Sequence, residues 1–463
     1  MLPPLIQTLL DPARYPHPAG AVELVETHIS WVLLAGDYAY KFKKPVVLSF
    51  LDYGTVAKRR ACCEAELRIN RRYAPDTYLA VVDFEGEPAV QMRRFVEANR
   101  LDHVCARGEL TPDHLADLAR RLAGFHAAAA VAGPGERFGE PAQALAPALE
   151  NFEELERLLP DEAARLARLK TWTQAEHAAR HPAFARRKAA GRVRECHGDL
   201  HLGNLVLLDG RPTPFDAIEF NDDFRWIDVA AEIAFTYLDL LDHGQPGLAA
   251  WFLNEWLLWS GDYDALAVLR FYAVYRAMVR AKVAAIQGKD VEAAEYLAMA
   301  EALTEPPPAN LTITFGLSGS GKTTAAKAAL LADARAATIR LRSDVERKRL
   351  FGLAPDAASG GSIYGPDATS RTYAHLLALA EAILADGWPV LVDAAFLKRA
   401  ERADFRALAT KLGIPFAILA CEAPVEELRR RLNARSGDAS EATAAVLEQQ
   451  LQWLQPLGDD ERR

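Results

Sequence analysis

Two stretches of the chain combine residue types that can handle phosphate. The first is His197-Gly198-Asp199-Leu200-His201-Leu202-Gly203-Asn204. An aspartate can receive or orient the proton of an attacking hydroxyl, and an asparagine five residues on can hold Mg²⁺ beside it. After it come an apolar strand, Leu205 to Leu208, a tight-turn pair, Asp209-Gly210, and a returning segment ending at Phe215-Asp216. This hairpin predicts that Asp216 returns to Asn204, giving the two oxygen ligands that a hard cation carrying nucleotide phosphates requires. Asp228 opens a helix further on, either anchoring the loop from behind or acting as a simple N-cap.

The second stretch, Gly316-Leu-Ser-Gly-Ser-Gly321-Lys322-Thr323, fits G-x-x-x-x-G-K-[ST] between a predicted strand and a predicted helix. Backbone N–H groups of Gly316, Ser318, Gly319, Ser320 and Gly321, continued by Thr323 and Thr324 at the helix start, can surround phosphate oxygens. Lys322 can reach the β and γ phosphates, and the Thr323 hydroxyl can hold Mg²⁺. In a parallel sheet, carboxylates just past the strand ends stand next to such a cradle. Asp393 suits a second-sphere Mg²⁺ role and Asp344 a base for a substrate hydroxyl, although each also reads as a helix N-cap. Arg347, three residues after Asp344, shares its helix face, and Arg431 and Arg435 share another at spacing four. These arginines read either as a phosphate clamp or as a solvated face.

Elements that position these groups are legible around them. Val22 to Lys43 reads as strands with Gly36-Asp37 at a turn, and Leu101 to Ala189 as mostly helix. That is a small sheet lobe followed by a helical lobe. Tyr38, Tyr40 and Phe42 alternate with Ala39, Lys41 and Lys43, so the aromatics can pack while Lys41 faces a nucleotide, unless the strand is a solvated edge. Such a lysine needs a helix carboxylate to orient it, with Glu66 preferred and Glu64 the alternative. The prolines at 306–308 cannot continue the helical pattern before them and mark a domain break. This gives a first domain over 1–304, a linker over 305–310 and a second domain over 311–463. In the second, strand-like runs at Leu311–Phe315, Thr338–Leu341, Val390–Val392 and Phe416–Leu419 alternate with helices and predict a parallel sheet.

A chain of 463 residues can bury two large cores. Its five cysteines are odd in number and contain no C-x-x-C pair, so neither a disulfide framework nor a zinc site is suggested and a reducing compartment fits. The start carries no basic residue before its apolar stretch, and no apolar run approaches 18 residues, so the expectation is a soluble, cytoplasmic chain with no membrane partner. A net charge of −9 argues against a main role in gripping extended nucleic acid.

The segments Gly316-LSGSGKTT and Ser343-DVER, Asp393 and the Arg431/Arg435 helix together resemble the small P-loop kinases, which include polynucleotide 5′-kinases, gluconate and shikimate kinases and zeta-toxin-like sugar-nucleotide kinases. The Asp344-to-Arg347 spacing is similar to the segment with which polynucleotide 5′-kinases hold their acceptor hydroxyl. The first stretch has the Asp-to-Asn spacing of a kinase catalytic loop. With Lys41, Glu26-THISWV and Leu67-RINRR72, it resembles the aminoglycoside phosphotransferase superfamily fused to an ATP-binding P-loop domain. The resemblance implies a two-lobed kinase fold, ATP and Mg²⁺, and roles for Lys41, Asp199, Asn204 and Asp216 as above. Two departures stand out. No G-x-G-x-x-G precedes Lys41, so the turn Thr27–Ser30 must cover the phosphates, and Asp216-Ala-Ile-Glu219 replaces D-F-G, leaving Glu219 as a candidate extra ligand.

The function expected is a bifunctional ATP-dependent phosphotransferase acting on hydroxyl groups of small molecules. The alternatives are a polynucleotide 5′-hydroxyl kinase and a nucleotide-dependent switch with one non-catalytic site. The basic stretches Arg186–Lys188 and Arg192–Arg194 favour an uncharged or anionic acceptor over a polycationic one.

Overall fold

Aromatic and β-branched residues at every second position set out strands in the first hundred residues. The structure, a computed structural model, describes residues 2–48, 51–359, 363–434 and 443–462. It divides into two units, Met1–Arg121 with Phe125–Pro147 and Phe184–Asp239, and Leu122–Gly124 with Ala148–Ala183 and Leu240–Arg463.

In the first unit β1 (Glu23–Glu26), β2 (Ser30–Ala35) and β3 (Tyr38–Lys43) are followed by the short strands β4 (Val47–Leu48) and β5 (Leu51–Asp52), the helix Val56–Asn70, β6 (Tyr78–Phe84) and β7 (Glu87–Arg93). Five of these strands form an antiparallel sheet in the order β1-β2-β3-β7-β6. Strand β3 is central and covered on both faces. Tyr40 and Phe42 join the core of Ile6, Leu33 and Ala89, while Ala39 packs with Cys63 of the helix, Tyr78 and Val90. The period-two pattern thus puts Lys41 and Lys43 on the helix side, and the solvated-edge alternative for Lys41 does not hold. The rest of this unit carries β8 (Val193–Glu195), the hairpin β9 (Leu205–Leu208) and β10 (Arg211–Pro214), β11 (Trp226–Asp228) and the start of the helix Val229–Asp242. Asp209 and Gly210 turn the hairpin with φ of 50° and 74°, the left-handed geometry that a two-residue turn needs.

In the second unit β12 (Leu311–Phe315), β13 (Ile339–Arg342), β14 (Val390–Asp393) and β15 (Phe416–Ala420) form a parallel sheet in the order β13-β14-β12-β15. The open edge of β13 is satisfied by one side chain. Asn254, from the helix Pro246–Ser260, donates Nδ2–H to the Thr338 carbonyl (2.8 Å) and accepts from Arg340 N–H (2.6 Å). The helices Pro246–Ser260, Leu266–Ile286 and Asp290–Thr304 belong to the same unit as this sheet. Among the described residues no helix is long and apolar enough to cross a membrane.

Candidate active sites

In the first unit a set of buried charges surrounds Asp216. Lys41 Nζ donates to Glu66 Oε1 (2.9 Å) and is paired with Asp216. Lys43 Nζ donates to the other oxygen of the same carboxylate, Glu66 Oε2 (2.7 Å), and is paired with Glu219. Glu66 is fully buried and Glu64 is exposed, so Glu66 is the partner of Lys41. Burial works against the Lys41 ammonium, but Asp216 and Glu66 outweigh it and hold its pKa well above the ordinary lysine range. The same balance, with Glu219 and Glu66, raises Lys43. Glu219 also accepts a hydrogen bond from Tyr53 Oη–H and is 7% exposed, so it stands in an ion pair and not at an open ligand position.

The stretch from His197 to Asn204 is held by contacts within itself and to the hairpin. Asn204 Nδ2 donates to the Asp199 carbonyl and to Asp199 Oδ2, each at 2.9 Å. Phe215 N–H donates to the Asn204 carbonyl (3.0 Å), so the hairpin returns Asp216 to the neighbourhood of Asn204. Asp216 adopts a left-handed φ of 62°, a conformation that costs a non-glycine residue about 1–3 kcal/mol. Two side chains hold it there: Asp216 N–H donates to Tyr78 Oη (2.9 Å) and Ala217 N–H to Asn70 Oδ1 (3.0 Å). His197 Nε2 contacts the Phe215 carbonyl (2.9 Å) and Nδ1 accepts from Asp199 N–H (3.3 Å), which fixes a neutral ring with its proton on Nε2. Burial pushes the His197 pKa below the usual histidine value despite Glu232 and Asp199 nearby. Asn204 and the half-exposed Asp216 carboxylate are hard oxygen donors of the kind Mg²⁺ takes. The turn at 27–30 is tight, closed by Thr27 N–H to the Ser30 carbonyl (2.9 Å) and Ser30 N–H to Thr27 Oγ1 (2.9 Å).

Three cations of the basic stretches before the loop are engaged within the protein. Arg187 makes a buried two-pronged pair with Asp228 (both 2.7 Å), Lys188 binds the Glu136 carbonyl (2.5 Å), and Arg194 binds the carbonyls of Ala127 and Ala129. Asp228 is therefore the partner of a buried arginine as well as the acceptor of Ala230 N–H (2.9 Å). Arg187, Lys188 and Arg194 are thus used in packing, which weakens the case these stretches make for an uncharged or anionic acceptor, while Arg186 is exposed.

In the second unit the loop after β12 has the geometry its glycines allow. A Cβ on Gly316 (φ 149°) would lie 2.2 Å from the Cys421 carbonyl oxygen, and Gly321 (φ 93°) immediately precedes the helix Lys322–Leu331. Lys322 Nζ donates to the Leu317 carbonyl (2.8 Å) across the loop. A cavity of about 1370 Å³ is lined by the loop from Ser318 to Thr324 together with Asp344, Arg347, Asp393 and Arg431. Asp344 lies inside the first turn of the helix Ser343–Leu350 and Asp393 ends β14, so neither is an N-cap. Asp393 is buried and paired with Arg340 on the neighbouring strand (Nε–Oδ2 3.2 Å). Arg347 donates to the Ile363 carbonyl (3.1 Å) and Thr369 Oγ1 (3.2 Å) and lies over the Tyr364 ring. Arg431 NH1 reaches the Gly319 carbonyl (3.3 Å) while its Nε donates to Glu427 (2.7 Å), which Arg430 also binds, and Arg429 pairs with Glu448. Arg435 lies outside the described residues. Ser320 Oγ and Arg347 Nε are buried without a protein partner among the described residues, which suits a site built for phosphate oxygens.

Residues 59–272 match the model of a family described as phosphotransferase enzymes, and residues 311–457 match that of an AAA domain. The uncharacterized protein Rv2004c of Mycobacterium tuberculosis H37Rv is 31% identical over 445 residues, which is 92% of this chain and 88% of the relative. The uncharacterized protein Mb2027c of Mycobacterium bovis gives the same figures. The chain belongs to the family that fuses these two domains. Among solved structures, the GDP complex of wild-type aminoglycoside 2′-phosphotransferase-IIIa matches at 15% identity over 65% of this chain and 98% of that chain, with a TM-score of 0.43. A choline/ethanolamine kinase family protein from Mesorhizobium loti matches at 14% identity over 71% and 98%, with a TM-score of 0.41.

Several groups that shape the two sites of this phosphotransferase–P-loop fusion are not apparent from its motifs. Glu232 Oε2 accepts from the backbone N–H of His197 (2.6 Å) and Gly198 (2.9 Å), while Oε1 contacts His126 Nε2 (3.1 Å). Thr236 Oγ1–H donates to the Leu200 carbonyl (2.6 Å), and Asp239 Oδ2 accepts from Leu202 N–H (2.7 Å). One helix face, at spacings of four and three, therefore carries the backbone of the loop that holds Asp199. The signal was available: three polar residues recur on one side of the otherwise apolar VAAEIAFTYLDLL. In the P-loop unit Gln450 Oε1 accepts from Ser318 N–H (2.7 Å), and Glu346 gathers Tyr263, His375 and Arg349 behind Asp344. Only the Glu346–Arg349 pair lies at a local helix spacing, and no local pattern announces Gln450, Tyr263 or His375.

Proposed function

We propose that the chain is a bifunctional ATP-dependent phosphotransferase that moves the γ-phosphoryl group to hydroxyl groups of small molecules. The observation that carries this reading is the co-location, in each unit, of a lysine, a carboxylate base and oxygen ligands for a cation: Lys41, Asp199, Asn204 and Asp216 in one, and Lys322, Asp344, Thr323 and Asp393 in the other. In the first unit Asp199 takes the proton of the acceptor hydroxyl as the hydroxyl oxygen bonds to the γ-phosphorus and the bond to the β–γ bridging oxygen breaks, ADP leaving, while Lys41 binds phosphate oxygens of the nucleotide. In the second, Asp344 is the base, the N–H groups of the loop and Lys322 hold the phosphates, and Arg347 and Arg431 balance charge on the transferred group and acceptor. Asn204 and Asp216 in one site, and Thr323 with Asp393 behind it in the other, would hold Mg²⁺, which would neutralise charge on the phosphate oxygens.

A second reading applies to the P-loop site alone. Asp344 and Arg347 line the cavity from one helix, together with Arg342, and this basic wall favours an acceptor with negative charge near its hydroxyl, such as a strand with a 5′-hydroxyl end. Transfer from γ-labelled ATP to sugars, nucleosides, aminoglycosides and 5′-hydroxyl oligonucleotides tests both readings, with Asp199→Asn and Lys322→Ala as controls. Each substitution is expected to abolish labelling of its own acceptor. Loss of all labelling in Lys322→Ala, with Asp199→Asn unaffected, would reduce the first unit to a binding module.

A further inference from the structure

The helix Ser343–Leu350 carries Asp344 and Arg347 to the cavity of the second unit, yet little in its own sequence holds it there. It is eight residues long, and its buried residues are Val345, Glu346, Arg347 and Lys348, three of them charged. A short polar helix of this kind is marginal by itself, so its position must come from tertiary contacts. Glu346, two residues after Asp344 and so turned about 200° around the axis to the back of the helix, is fully buried. Tyr263 Oη–H donates to Glu346 Oε1 (2.9 Å), Arg349 pairs with the same oxygen, and His375 Nε2 contacts Oε2 (3.2 Å). Burial works against the carboxylate, but His375 and Arg349 outweigh it and keep its pKa below the usual glutamate value. Arg349 also donates to the Leu258 carbonyl (2.6 Å) and lies against Gly261, where a Cβ would come within 2.6 Å of Arg349 Nε. Leu258, Gly261 and Tyr263 stand at the end of the helix Pro246–Ser260 and in the turn after it. That turn precedes the prolines at 306–308 and falls within residues 59–272, the stretch that matches the phosphotransferase family. Contacts on either side dock it on the parallel sheet: Asn254 on the edge of β13, and Trp388 Nε1–H donating to the Leu266 carbonyl (3.1 Å) just ahead of β14.

We propose that Tyr263 and Glu346 are positioning residues of the P-loop site, through which a turn of the phosphotransferase-matched stretch sets where Asp344 and Arg347 stand relative to the glycine loop. The second site is thereby completed by chain from before the Pro-rich break. Tyr263 and Glu346 are both buried outside the cavity lining and act through the helix that carries Asp344. Transfer is steep in the placement of a base, since a displacement of about 1 Å can lower the rate on the order of 10²-fold. Binding of ATP is not, because the loop and Lys322 hold the phosphates. This inference rests on the proposed phosphotransfer reading of the second unit, with Asp344 as its base.

The test uses the full chain with Tyr263→Phe, which removes one hydroxyl and keeps the ring, and Glu346→Gln, which keeps the shape and removes the charge. Transfer from γ-labelled ATP is followed to water, sugars, nucleosides and 5′-hydroxyl oligonucleotides, with Lys322→Ala and Asp199→Asn separating the two sites. In each transfer by the second unit the acceptor oxygen bonds to the γ-phosphorus, the bond to the β–γ bridging oxygen breaks, ADP leaves and the acceptor proton passes to Asp344. We expect kcat of the Lys322-dependent transfer to fall about tenfold in Tyr263→Phe and about thirtyfold in Glu346→Gln, with the KM for ATP within about twofold of wild type. Asp199-dependent transfer is expected to be unchanged, although Tyr263 lies in the phosphotransferase-matched stretch. A kcat within about twofold of wild type in either folded variant would overturn the proposal. So would a loss of ATP affinity in parallel with kcat, the mark of a unit that has loosened as a whole. If one variant does not fold, the other decides on the same readouts. Failure of the parent reading gives a different result: a wild-type chain with no Lys322-dependent transfer to any of these acceptors, water included.

Discussion

Eight consecutive residues, Gly316 to Thr323, make the glycine loop of the second unit, whereas the groups around Asp216 in the first come from β3, the helix Val56–Asn70, β6 and the segment 216–219. The loop derives its shape from local backbone conformation, since Gly316, Gly319 and Gly321 all have left-handed φ. The other site derives its shape from buried charges that are far apart in sequence, so its geometry and the stability of its unit rest on the same contacts. Damage to the loop should therefore remain local, and damage around Asp216 should spread into folding.

The largest effect expected is chemical and falls on the distributed site. Asp199→Asn removes the base and should lower transfer by the first unit about 10²- to 10⁴-fold, with transfer by the second unit unaltered. Next comes Glu232→Ala, which leaves His126 and the N–H groups of His197 and Gly198 buried without their partner. Loss of one member of such a buried charged network costs about 3–5 kcal/mol, to be read from denaturant unfolding followed by probes in the first unit. A change below about 0.5 kcal/mol would show that the loop backbone stands without it. Gly316→Ala forces a Cβ to within 2.2 Å of the Cys421 carbonyl and is expected to cost about 1–3 kcal/mol. It should weaken nucleotide binding by the second unit while leaving Asp199-dependent transfer intact. If it also lowered that transfer, the contrast between local and distributed damage would fail.

The smallest effect concerns pH. Burial holds His197 below the ordinary histidine value in the folded chain, so near that value the unfolded chain binds more protons. The stability that the neutral ring contributes is full above about pH 6.5 and declines as pH falls below it. Unfolding midpoints measured between pH 7.5 and 5.5 should show this decline, and His197→Asn should flatten it.

The same contrast decides what was legible in the amino-acid sequence. Strand periodicity in Tyr38–Lys43, the Asp209-Gly210 turn and the glycine spacing after Phe315 are short-range signals, and they led to the central strand, the β9–β10 hairpin and the phosphate loop. Lys43 was not distinguished from its neighbour Lys44, which pairs with Glu26, because what separates them is the presence of Glu66 and Glu219, and no local pattern encodes a partner 23 or 176 residues away. Glu219 was read as a candidate ligand for the same reason. The Arg340–Asp393 pair also joins two strands that are adjacent only in the folded sheet. Within the basic run at 186–194, charge alone does not tell the exposed Arg186 from Arg187, which is buried against Asp228.

The claim that both units are nucleotide sites is tested most directly by the stoichiometry of ATP binding to the purified chain, measured calorimetrically with Mg²⁺ in the absence of acceptor. The account predicts two ATP per chain, one in Lys322→Ala and one in Asp216→Asn. A single binding event that Lys322→Ala abolishes and Asp216→Asn leaves untouched would contradict it, leaving the P-loop as the nucleotide site and the buried charges around Asp216 with a structural role.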